Sequence, residues 1–473
     1  MIDAKKLFTS DLRIVNLGLE VFHDALDDQE ITNCQVEWKP PAGGDIRMIR
    51  LLDSLNQEKI DRANQTAFER ILAAEPELVD VCYAHEVLSG LDEFTIGHAG
   101  PPLTWDEMCG PVKGAVMGAA VYEGMCERLE DVEPMVRAGK IKFRHNHEMG
   151  CVGPMTGMIT RSMPLWVVRN VTFGNVAYST FNEGLGKVMR FGANGPEVIA
   201  RLRWLEKTLA PAMKSALALS GPISLKVLIS KALTMGDEMH QRNIAASCLF
   251  VRTMAPWLVR SVHNAKALAE VMDFISGNDQ FFLNLAMAAG KSTMDPVKNI
   301  PYSTIVTAMS RNGTNFGVKI SALGDRWFQA PVLMPKGLYF PGYSEKDANP
   351  DMGDSAICET FGIGGVAMAS APAVVRFVGA KSVAEAMRYS RQMQQIAVGL
   401  NNAYIMPTMN FVGTATGLDA KKIVETGILP VINTGMAHKR AGIGQVGAGI
   451  VFAPPDCFAK AMEAFAAEYG AWR

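Results

Sequence analysis

Apolar and polar residues over the first hundred positions follow the pattern of a small α/β unit. Residues 13–18 form a short apolar run typical of a strand, residues 19–26 have helical periodicity, and residues 34–38 form a second strand-like run. A longer, charged segment with helical periodicity follows at residues 56–74. We therefore expect a small α/β domain over residues 1–100.

The middle of the chain has the pattern of a largely helical region. Apolar residues recur at three- and four-residue spacing in three long stretches, at residues 197–219, 226–274 and 278–289. Thr104 and Glu107 match a capping box, which predicts a further helix running through residues 112–128. We therefore expect a mainly helical domain over residues 101–300.

In the last third of the chain the pattern of β structure returns. Asn312-Gly313 stands between two apolar runs, which is the strongest local pattern of a β-hairpin. Residues 382–400 predict a helix, and the segment after it returns to α/β character. The whole pattern predicts an α/β fold with a small N-terminal α/β domain, a largely helical middle, and a glycine-rich C-terminal α/β region with a β-hairpin over residues 301–473.

Composition limits the classes of protein to which the chain could belong. It has 473 residues, of which 48% are hydrophobic, and a formal net charge of −2, so nothing predicts binding to nucleic acid or to an anionic membrane. The N-terminus lacks an apolar signal core, and the longest uncharged run, residues 360–375, is too short for a membrane span. Eight cysteines without a C-x-x-C pair are typical of reduced thiols. We expect a cytoplasmic protein.

The segment from Asn433 to Lys439 and the glycine-rich stretch after it are the richest in candidate chemistry. An apolar run at residues 428–432 predicts a buried strand, so His438 and Lys439 would emerge near a strand end beside permissive backbone. Glycine N–H groups and a lysine are suited to holding an oxyanion. The stretch also matches G-x-G-x-x-G from Gly442, but a short strand stopped by prolines follows instead of a helix. We therefore expect no dinucleotide cofactor.

His145, His147 and Glu148 precede a loop punctuated by glycines. Two histidines one residue apart with a nearby glutamate suit a zinc site, but this spacing is not diagnostic and a further ligand would be needed. The alternative is a loop that presents His145 or His147 as a general base or hydrogen-bond donor. We favour the second interpretation and expect no metal.

Two further polar segments lie in the predicted helical region. Residues 182–187, with Arg190 after them, resemble a helix start that carries a cation in its first turns. A solvated helix start is the alternative, but Phe191 keeps the charge in an apolar neighbourhood, where an unpaired charge is costly. Asp237 and Arg242 are predicted to lie on a helix. Their pattern is about equally compatible with a surface network of charges and with a functional site.

Arg311 and Arg326 flank the second strand of the predicted hairpin. Turn chemistry accounts for Asn312, whereas the two arginines are available for recognition of a carboxylate or phosphate. Asp354 precedes a glycine-rich turn and could cap a helix or accept a hydrogen bond from a ligand. The chain has no G-x-S-x-G elbow, P-loop or kinase signature, so the common hydrolase and phosphate-transfer templates do not apply.

Seven motifs follow one another along nearly the whole chain: His145-Asn146-His147 with Gly153-Pro154-Met155, Asn182-Glu183-Gly184-Leu185-Gly186-Lys187, Gly277-Asn278-Asp279, Arg311-Asn312-Gly313-Thr314, Gly324-Asp325-Arg326-Trp327-Phe328, Gly353-Asp354-Ser355-Ala356 and Asn433-Thr434-Gly435-Met436-Ala437-His438-Lys439. With these motifs the chain resembles the AllG, YlbE and YahG family of bacterial proteins. The resemblance implies a subunit of oxamate carbamoyltransferase, which acts in allantoin breakdown. The implied reaction is reversible cleavage of oxalurate, or a related carbamoylated amide, by phosphate to give oxamate and carbamoyl phosphate.

The resemblance also implies partners. These are an FdrA-type subunit, itself similar to acyl-CoA synthetases, and a third subunit, in an oligomeric complex that acts on small anionic substrates. Two alternatives remain open. The chain could be a non-catalytic scaffold of that complex, or it could be a metal-dependent amidohydrolase that uses His145, His147 and Glu148.

For the implied reaction we expect His438 or His145 to transfer the proton, since the ordinary pKa of imidazole, about 6.5, lies near the working pH. Cationic side chains would clamp phosphate and carboxylate, and asparagines would orient the carbonyl group. The candidate substrate-binding residues are Asn146, Asn182, Lys187, Arg311, Asn312, Arg326, Asp354, Asn433 and Lys439.

Overall fold

A computed structural model describes residues 14–36, 38–377 and 382–470. Its α-helices are α1 (Glu20–Asp27), α2 (Ile46–Asp53), α3 (Gln57–Ala73), α4 (Ala84–Val87), α5 (Gly110–Glu123), α6 (Val132–Arg137), α7 (Pro196–Trp204), α8 (Ala210–Ser220), α9 (Leu225–Thr234), α10 (Ile244–Ser261), α11 (Ala265–Gly277), α12 (Leu283–Met294), α13 (Ile357–Thr360), α14 (Val374–Phe377), α15 (Val383–Ile396), α16 (Ala420–Thr426) and α17 (Pro455–Tyr469). Within the described ranges, no helix combines the length and apolar character that a membrane span requires.

The strands are β1 (Ile14–Leu17), β2 (Asn33–Val36), β3 (Pro76–Tyr83), β4 (Thr95–His98), β5 (Lys142–His145), β6 (Cys151–Val152), β7 (Pro164–Asn170), β8 (Val176–Thr180), β9 (Ile223–Ser224), β10 (Val306–Asn312), β11 (Asn315–Ile320), β12 (Phe328–Pro331), β13 (Lys336–Tyr339), β14 (Met352–Gly353), β15 (Ala397–Met406), β16 (Val412–Leu418), β17 (Val431–Ala437) and β18 (Gln445–Phe452). They form several small sheets among the helices, so the predicted α/β class is confirmed.

At the N-terminus the predicted strand, helix and strand are all present. β1 and β2 pair in parallel, with Ile14 opposite Asn33, and α1 connects them. A connecting helix is what a parallel pair requires, because a tight turn cannot join strands that run in the same direction. Two residues of the predicted strands, Arg13 and Glu37, lie outside the described residues.

The middle of the chain contains strands that its periodicity did not predict. A five-stranded sheet has the order β6-β8-β7-β3-β9, and β4 pairs in parallel with β5. β7 is almost wholly buried and reads as a continuous apolar run, which periodicity cannot distinguish from a buried helical segment. Since β3 and β4 precede residue 100 and their partners β7 and β5 follow it, strand pairing crosses that position.

Two predicted helices have different bounds in the structure. The capping box of Thr104 and Glu107 is present, but it closes a single 3₁₀ turn, and the α-helix begins only at Gly110. That helix ends before Gly124, whose left-handed conformation (φ +79°) is the usual helix terminator, and not at residue 128. The helix predicted for residues 382–400 is capped by Ser382 but ends at Ile396, where the chain enters β15.

The helix predicted for residues 226–274 is interrupted at residues 235–243. Asp237 Oδ2 accepts a hydrogen bond from the N–H of Ala246 at the start of α10. Glu238 Oε1 accepts from the N–H groups of Gln241 and Arg242 at 2.5 and 2.6 Å. Carboxylates that bind nearby N–H groups in this way compete with the helical hydrogen bonds, so the segment forms a loop.

The predicted β-hairpin is confirmed. β10 and β11 pair antiparallel with Arg311 opposite Phe316, and Gly313 in the turn has φ +83°. The hairpin is the centre of a four-stranded sheet of order β12-β11-β10-β14, and β10 is buried along its whole length. A second antiparallel pair, β17 and β18, carries the C-terminal glycine-rich segment, so the G-x-G-x-x-G match opens a strand and not a helix.

Two large hydrophobic cores hold most of these elements together. The larger packs α5 and helices α8 to α12 around β3 and β7, and it includes Ile357, Tyr404 and Ala437 from the last third of the chain. The second packs the β10–β11 hairpin against α17 and includes Met48 and Leu51 of α2. Both cores therefore combine residues from different parts of the predicted division at positions 100 and 300.

Candidate functional site

Several of the predicted motifs meet around a small inner cavity. Its volume is about 10 Å³, which is room for about one water molecule. The inner cavity is lined by Pro154, Met155, Arg190, Phe191, His240, Gln241, Gln280, Leu283, Ser355 and Gly435. These residues come from the glycine-bearing loops at 153–157, 184–192 and 353–355, from the loop between α9 and α10, from the segment between α11 and α12 with the first residue of α12, and from β17.

A larger outer cavity of about 300 Å³ adjoins the inner one, since Gln241 and Gln280 line both. Its other lining residues are Leu185, Arg242, Asn243, Ile244, Asp279, Phe340, Ala373, Val374 and Gln445. The mixture of apolar walls with a few amide and charged groups is typical of a small-molecule site. The outer cavity is large enough for a small ligand, whereas the inner cavity can receive only its end.

Arg190 is the buried cation of the inner cavity. Its Nε and Nη2 donate to the carbonyl oxygen of Gly184 at 3.1 and 2.7 Å, and Nη2 also donates to Gln280 Oε1 at 2.8 Å. Among the described residues Nη1 has no hydrogen-bond partner. Burial lowers the pKa of Arg190 to about 10, although Glu183 opposes this, so the guanidinium stays protonated at neutral pH.

The loop that carries Arg190 is held by Glu183 and Asn182, and it is not the helix start that the sequence predicted. The Glu183 carboxylate accepts from the N–H groups of Met189 and Arg190 at 2.7 and 3.1 Å. Asn182 donates to Asn284 Oδ1 at 2.9 Å and accepts from the N–H of Gly184 at 3.0 Å. The chain forms only one 3₁₀ turn here, at Met189–Phe191, because these side chains take the N–H groups that a helix would use.

His240 and Glu359 form a buried pair that sequence reasoning did not select. His240 Nδ1 lies 2.7 Å from Glu359 Oε1, and the two side chains are 3% and 0% exposed. Glu359 Oε1 also accepts from the N–H of Gly365 at 2.8 Å. With Nδ1 bound in this way, Nε2 is the ring nitrogen of His240 without a hydrogen-bond partner among the described residues, and His240 lines the inner cavity.

Glu238 stabilises the loop on which His240 lies. Its carboxylate accepts from the N–H groups of His240, Gln241 and Arg242. Burial raises the pKa of Glu238 to about 7, with a further contribution from the charge of Glu359, while His240 and hydrogen bonds oppose the change. Glu238 can therefore hold a proton near neutral pH.

Asp354 is the centre of a buried network directly behind Ser355. Its carboxylate accepts four hydrogen bonds, from the N–H groups of Gly100 and Gly153 at 3.0 Å each, from Asn146 Nδ2 at 2.9 Å and from Ser310 Oγ at 2.6 Å. Burial raises the pKa of Asp354, and these hydrogen bonds oppose the change. The network joins the loops that supply Pro154 and Ser355 to the inner cavity, so Asp354 and Asn146 position its wall.

Arg311 is fully buried and its donors are bound within the fold. Nε and Nη2 donate to the two carboxylate oxygens of Asp351 at 2.6 and 3.1 Å. Nη1 donates to the carbonyl oxygen of Gly353 at 2.7 Å and to Ser355 Oγ at 3.3 Å. Thr434 Oγ1 completes the group by donating to Asp351 at 2.7 Å. In this arrangement Arg311 orients the wall of the cavity and does not reach into it.

His145 and His147 face different carboxylates. His145 Nε2 lies 2.7 Å from Glu148 Oε2, whereas His147 Nε2 lies 3.7 Å from Asp354 Oδ1. Burial of Glu148 alone would raise its pKa, but His145 and the ammonium of Lys319 lower it to about 2. Burial holds the pKa of His147 well below its ordinary value. Within the described ranges, no three His, Cys, Asp or Glu side chains are arranged to hold a metal ion.

The remaining predicted residues lie outside the lining of both cavities. His438 is buried at the end of β17, as the strand pattern predicted, and its Nδ1 accepts from the N–H of Arg440 at 2.9 Å. Asn312 serves the hairpin turn by accepting from two N–H groups. Three cations are exposed and bound to nearby oxygens: Lys187 to Glu197 at 2.5 Å, Arg326 to Glu468 at 3.7 Å and Lys439 to the carbonyl of Lys346 at 2.5 Å.

Asn433 lies on β17 behind the His240 pair. Its backbone N–H is 3.4 Å from Glu359 Oε1, and its buried Nδ2 has no hydrogen-bond partner among the described residues. Asn433 Oδ1 is buried and accepts no hydrogen bond from any described residue.

Sequence reasoning missed Glu359 and His240 because they lie 119 positions apart. The available signal was the pair of adjacent carboxylates, Asp237 and Glu238, just before His240.

Comparisons with known proteins are consistent with one another. A family model described as "Oxamate carbamoyltransferase subunit AllG" matches residues 141–355. Oxamate carbamoyltransferase subunit AllG of Escherichia coli (strain K12) is 50% identical over 413 residues, which are 87% of this chain and 99% of the relative. The uncharacterized protein YahG of the same organism is 41% identical over 471 residues, which are 99% of this chain and 100% of the relative.

A solved structure has the same fold. The crystal structure of a conserved protein of unknown function from Enterococcus faecalis V583 is 43% identical to this chain, with a TM-score of 0.86. It covers 88% of this chain and 99% of its own. The fold described above is therefore shared, over 88% of this chain, with a relative of known structure.

Proposed function

Since the chain belongs to the AllG family of oxamate carbamoyltransferase subunits, we propose that it takes part in the phosphorolysis of oxalurate, or of a related carbamoylated amide. The products are oxamate and carbamoyl phosphate, and the reaction is reversible. We further propose that the chemistry takes place in the inner and outer cavities of this chain.

One observation carries the second proposal. Arg190 is a buried cation beside a cavity, and the NH2 group at its Nη1 has no hydrogen-bond partner among the described residues, in a family whose named substrate is an anion. A cation with a free donor suits an anionic ligand because charge-assisted hydrogen bonds are the strongest that a side chain can offer in a buried site. The carboxylate of oxalurate, or phosphate, is the group that Arg190 would hold.

The amide side chains around Arg190 suit the rest of the substrate. Gln241 and Gln280 line both cavities and present donors and acceptors, which is what a planar carbamoyl group requires. The inner cavity holds only about one water molecule, so the carbamoyl end enters when one of these glutamines turns aside. The outer cavity of about 300 Å³ receives the remainder of the substrate.

We also propose that the chain acts within a cytoplasmic heteromeric complex. The name of the AllG relative describes a subunit, and the resemblance of the sequence motifs implies an FdrA-like subunit and a third subunit as its partners. If the chain were a non-catalytic scaffold, its cavity residues would have no effect on turnover. The cavity therefore provides the means to distinguish the two roles.

The experiment measures phosphate-dependent formation of carbamoyl phosphate from oxalurate, with this chain alone and then with its two partner subunits. Turnover by the complete mixture that depends on each subunit supports the proposal. Absence of turnover by the complete mixture in both directions of the reaction would reject oxalurate as the substrate. Equal turnover by the partner subunits without this chain would reject its participation in catalysis.

A further inference from the structure

His240 is held beside the inner cavity by contacts on both its side chain and its backbone. Nδ1 lies 2.7 Å from Glu359 Oε1, and the backbone N–H is 3.2 Å from Glu238 Oε2. All eight histidines lie in the described part of the chain, and His240 alone lines either cavity. It is therefore the imidazole best placed to exchange a proton with a bound substrate.

The contacts of Glu359 determine which nitrogen of His240 carries the hydrogen. A carboxylate accepts hydrogen bonds, so Nδ1 is the donor and Nε2 of the neutral ring keeps its lone pair for a ligand of the cavity that His240 lines. The chain approaches the pair closely at Gly364, where a Cβ atom would lie 2.3 Å from Glu359 Oε1. Glycine at this position allows the backbone to pack against the pair and fix its geometry.

The backbone on either side of the inner cavity is strained. Met239, directly before His240, and Met155, in the cavity lining, have φ values of +60° and +57°. Residues other than glycine rarely adopt this conformation, and where they do it is concentrated at functional sites. The left-handed residue Met239 directly precedes His240, which lines the inner cavity.

We propose that Nε2 of His240 carries the proton of the carbamoyl transfer and that Glu359 is its positioning residue; this rests on the proposed function. In phosphorolysis, Nε2 accepts the proton of HPO₄²⁻ as a phosphate oxygen bonds to the carbamoyl carbon. The imidazolium then donates that proton to the amide nitrogen as the carbon–nitrogen bond breaks. Oxamate and carbamoyl phosphate leave without a net gain or loss of protons, and the imidazole is neutral again.

The surrounding groups suit this step. Glu359 stabilises the positive charge on the imidazolium while the proton is held, as a carboxylate does for a catalytic histidine in other enzymes. Ser355 Oγ accepts from Arg311 Nη1 at 3.3 Å, so its own hydrogen is free to bind the oxyanion that develops on the carbamoyl carbon. The Arg190 guanidinium neutralises the bound anion.

The test compares oxalurate phosphorolysis by complete complexes that contain the wild-type, His240→Gln or His263→Gln chain. Glutamine has a similar volume but cannot carry the proton, so we expect kcat of His240→Gln to fall by about 10²–10⁴. KM for oxalurate should stay within about threefold, because the substitution leaves Arg190 in place. His263 is exposed and lies outside both cavities, so its variant should match the wild type.

Two further variants separate proton transfer from a structural role. Glu359→Gln, which removes the carboxylate that fixes the tautomer, should lower kcat by at least about tenfold while KM changes little. His240→Ala should regain activity with added imidazole. It should not regain activity with pyrazole, which has the same shape but is a much weaker base. A role in packing alone would be served by both compounds.

The outcomes distinguish the inference from the function on which it rests. A wild-type complex without turnover would overturn the proposed function and the inference together. An active wild-type complex matched by His240→Gln would overturn the inference alone, as would rescue of His240→Ala by pyrazole to the same extent as by imidazole. Loss of kcat in His438→Gln with none in His240→Gln would move the proton transfer to His438.

Discussion

At the scale of single residues, burial separates the cations that the sequence could not rank. Arg311 and Arg190 are both buried, but the donors of Arg311 end on Asp351 and its neighbours, whereas Nη1 of Arg190 meets no acceptor in the described part of the chain. Arg326 is exposed, with 57% of its side chain accessible, and a surface ion pair of this kind contributes little to stability. Residue type alone gave Arg311 and Arg326 the same candidate role and did not select Arg190.

Replacement of Arg311 by Gln should destabilise the isolated chain. The substitution leaves Asp351 buried without its countercharge, which costs about 3–5 kcal/mol in the free energy of unfolding. Urea unfolding followed by circular dichroism measures the change. Arg388→Gln is the matched control, because Arg388 is exposed and should change stability by less than about 0.5 kcal/mol. Equal unfolding midpoints for the two variants would contradict a structural role for Arg311.

The sequence motifs indicated several residues that lie near the candidate site, but they did not indicate which side chains contact each other there. Asn146, Asp354 and Asn433 were selected from their motifs, and all three are buried close to the inner cavity or the His240 pair. Glu359 and His240 could not be paired in advance, since a sequence records neighbours along the chain and their contact spans 119 positions. Only the tertiary packing of β17 and the glycine turn at 362–365 brings them together.

At the scale of elements, local turn chemistry was predicted well and competition for backbone groups was not. The hairpin around Gly313 is present because a short turn and two apolar runs specify it locally. The loop at 235–243 interrupts a helical pattern because Asp237 and Glu238 bind backbone N–H groups. Periodicity measures which face is apolar and contains no information about such side-chain hydrogen bonds.

Glu238 should make the stability of this loop, and of the chain, depend on pH. In the folded chain its pKa is raised by burial to about 7, from 4.5. Below pH 4.5 the carboxyl is protonated in both states and has no effect. As pH rises from 4.5 to 7 the unfolded state ionises first, so stability falls by up to about 3 kcal/mol and then levels off.

Glu238→Gln should remove this contribution. The difference in unfolding free energy between wild type and variant, measured by urea unfolding at several pH values, should slope between pH 4.5 and 7 and be flat above pH 7. Asp237 has a pKa raised by burial to about 6 and keeps its own pH dependence in both proteins, so the difference isolates Glu238. A difference that does not vary over this range would contradict a protonated Glu238.

Gly353 should be intolerant of a side chain because it joins two loops of the inner cavity. Its φ is +122°, and a Cβ atom there would lie 2.6 Å from the backbone nitrogen of Met155. Gly353→Ala should therefore lose more stability than Gly124→Ala, which has φ +79° but open space around it and should cost only about 1 kcal/mol. The unfolding midpoints of both variants measure this, and equal losses would show that the contact with Met155 is not rigid.

At the scale of the whole molecule, the cavities lie where parts of the chain that are distant in sequence are bound into common cores. The larger core joins the helical middle to Ile357 and Ala437, and the inner cavity draws its lining from the same regions. The α/β class was predictable from local patterns, whereas the pairing of β3 with β7 across residue 100 was not. Family membership agrees with this arrangement, because the AllG relative is matched over 99% of its length.

The measurement that tests the central claim most directly is carbamoyl phosphate formation from oxalurate by complete complexes that contain the wild-type or the Arg190→Gln chain. Arg190→Gln removes the buried charge and the free Nη1 donor, and a hydrogen bond to a charged group contributes about 1.5–3 kcal/mol. We therefore expect kcat/KM to fall by about 10- to 100-fold. Arg388→Gln serves again as the exposed control and should match the wild type.

Circular dichroism and size-exclusion chromatography establish that the Arg190→Gln chain folds and assembles. A folded, assembled variant with the predicted loss would support carbamoyl transfer in the cavities of this chain. A folded, assembled variant with the kcat/KM of the wild type would contradict the account and place the reaction in a partner subunit.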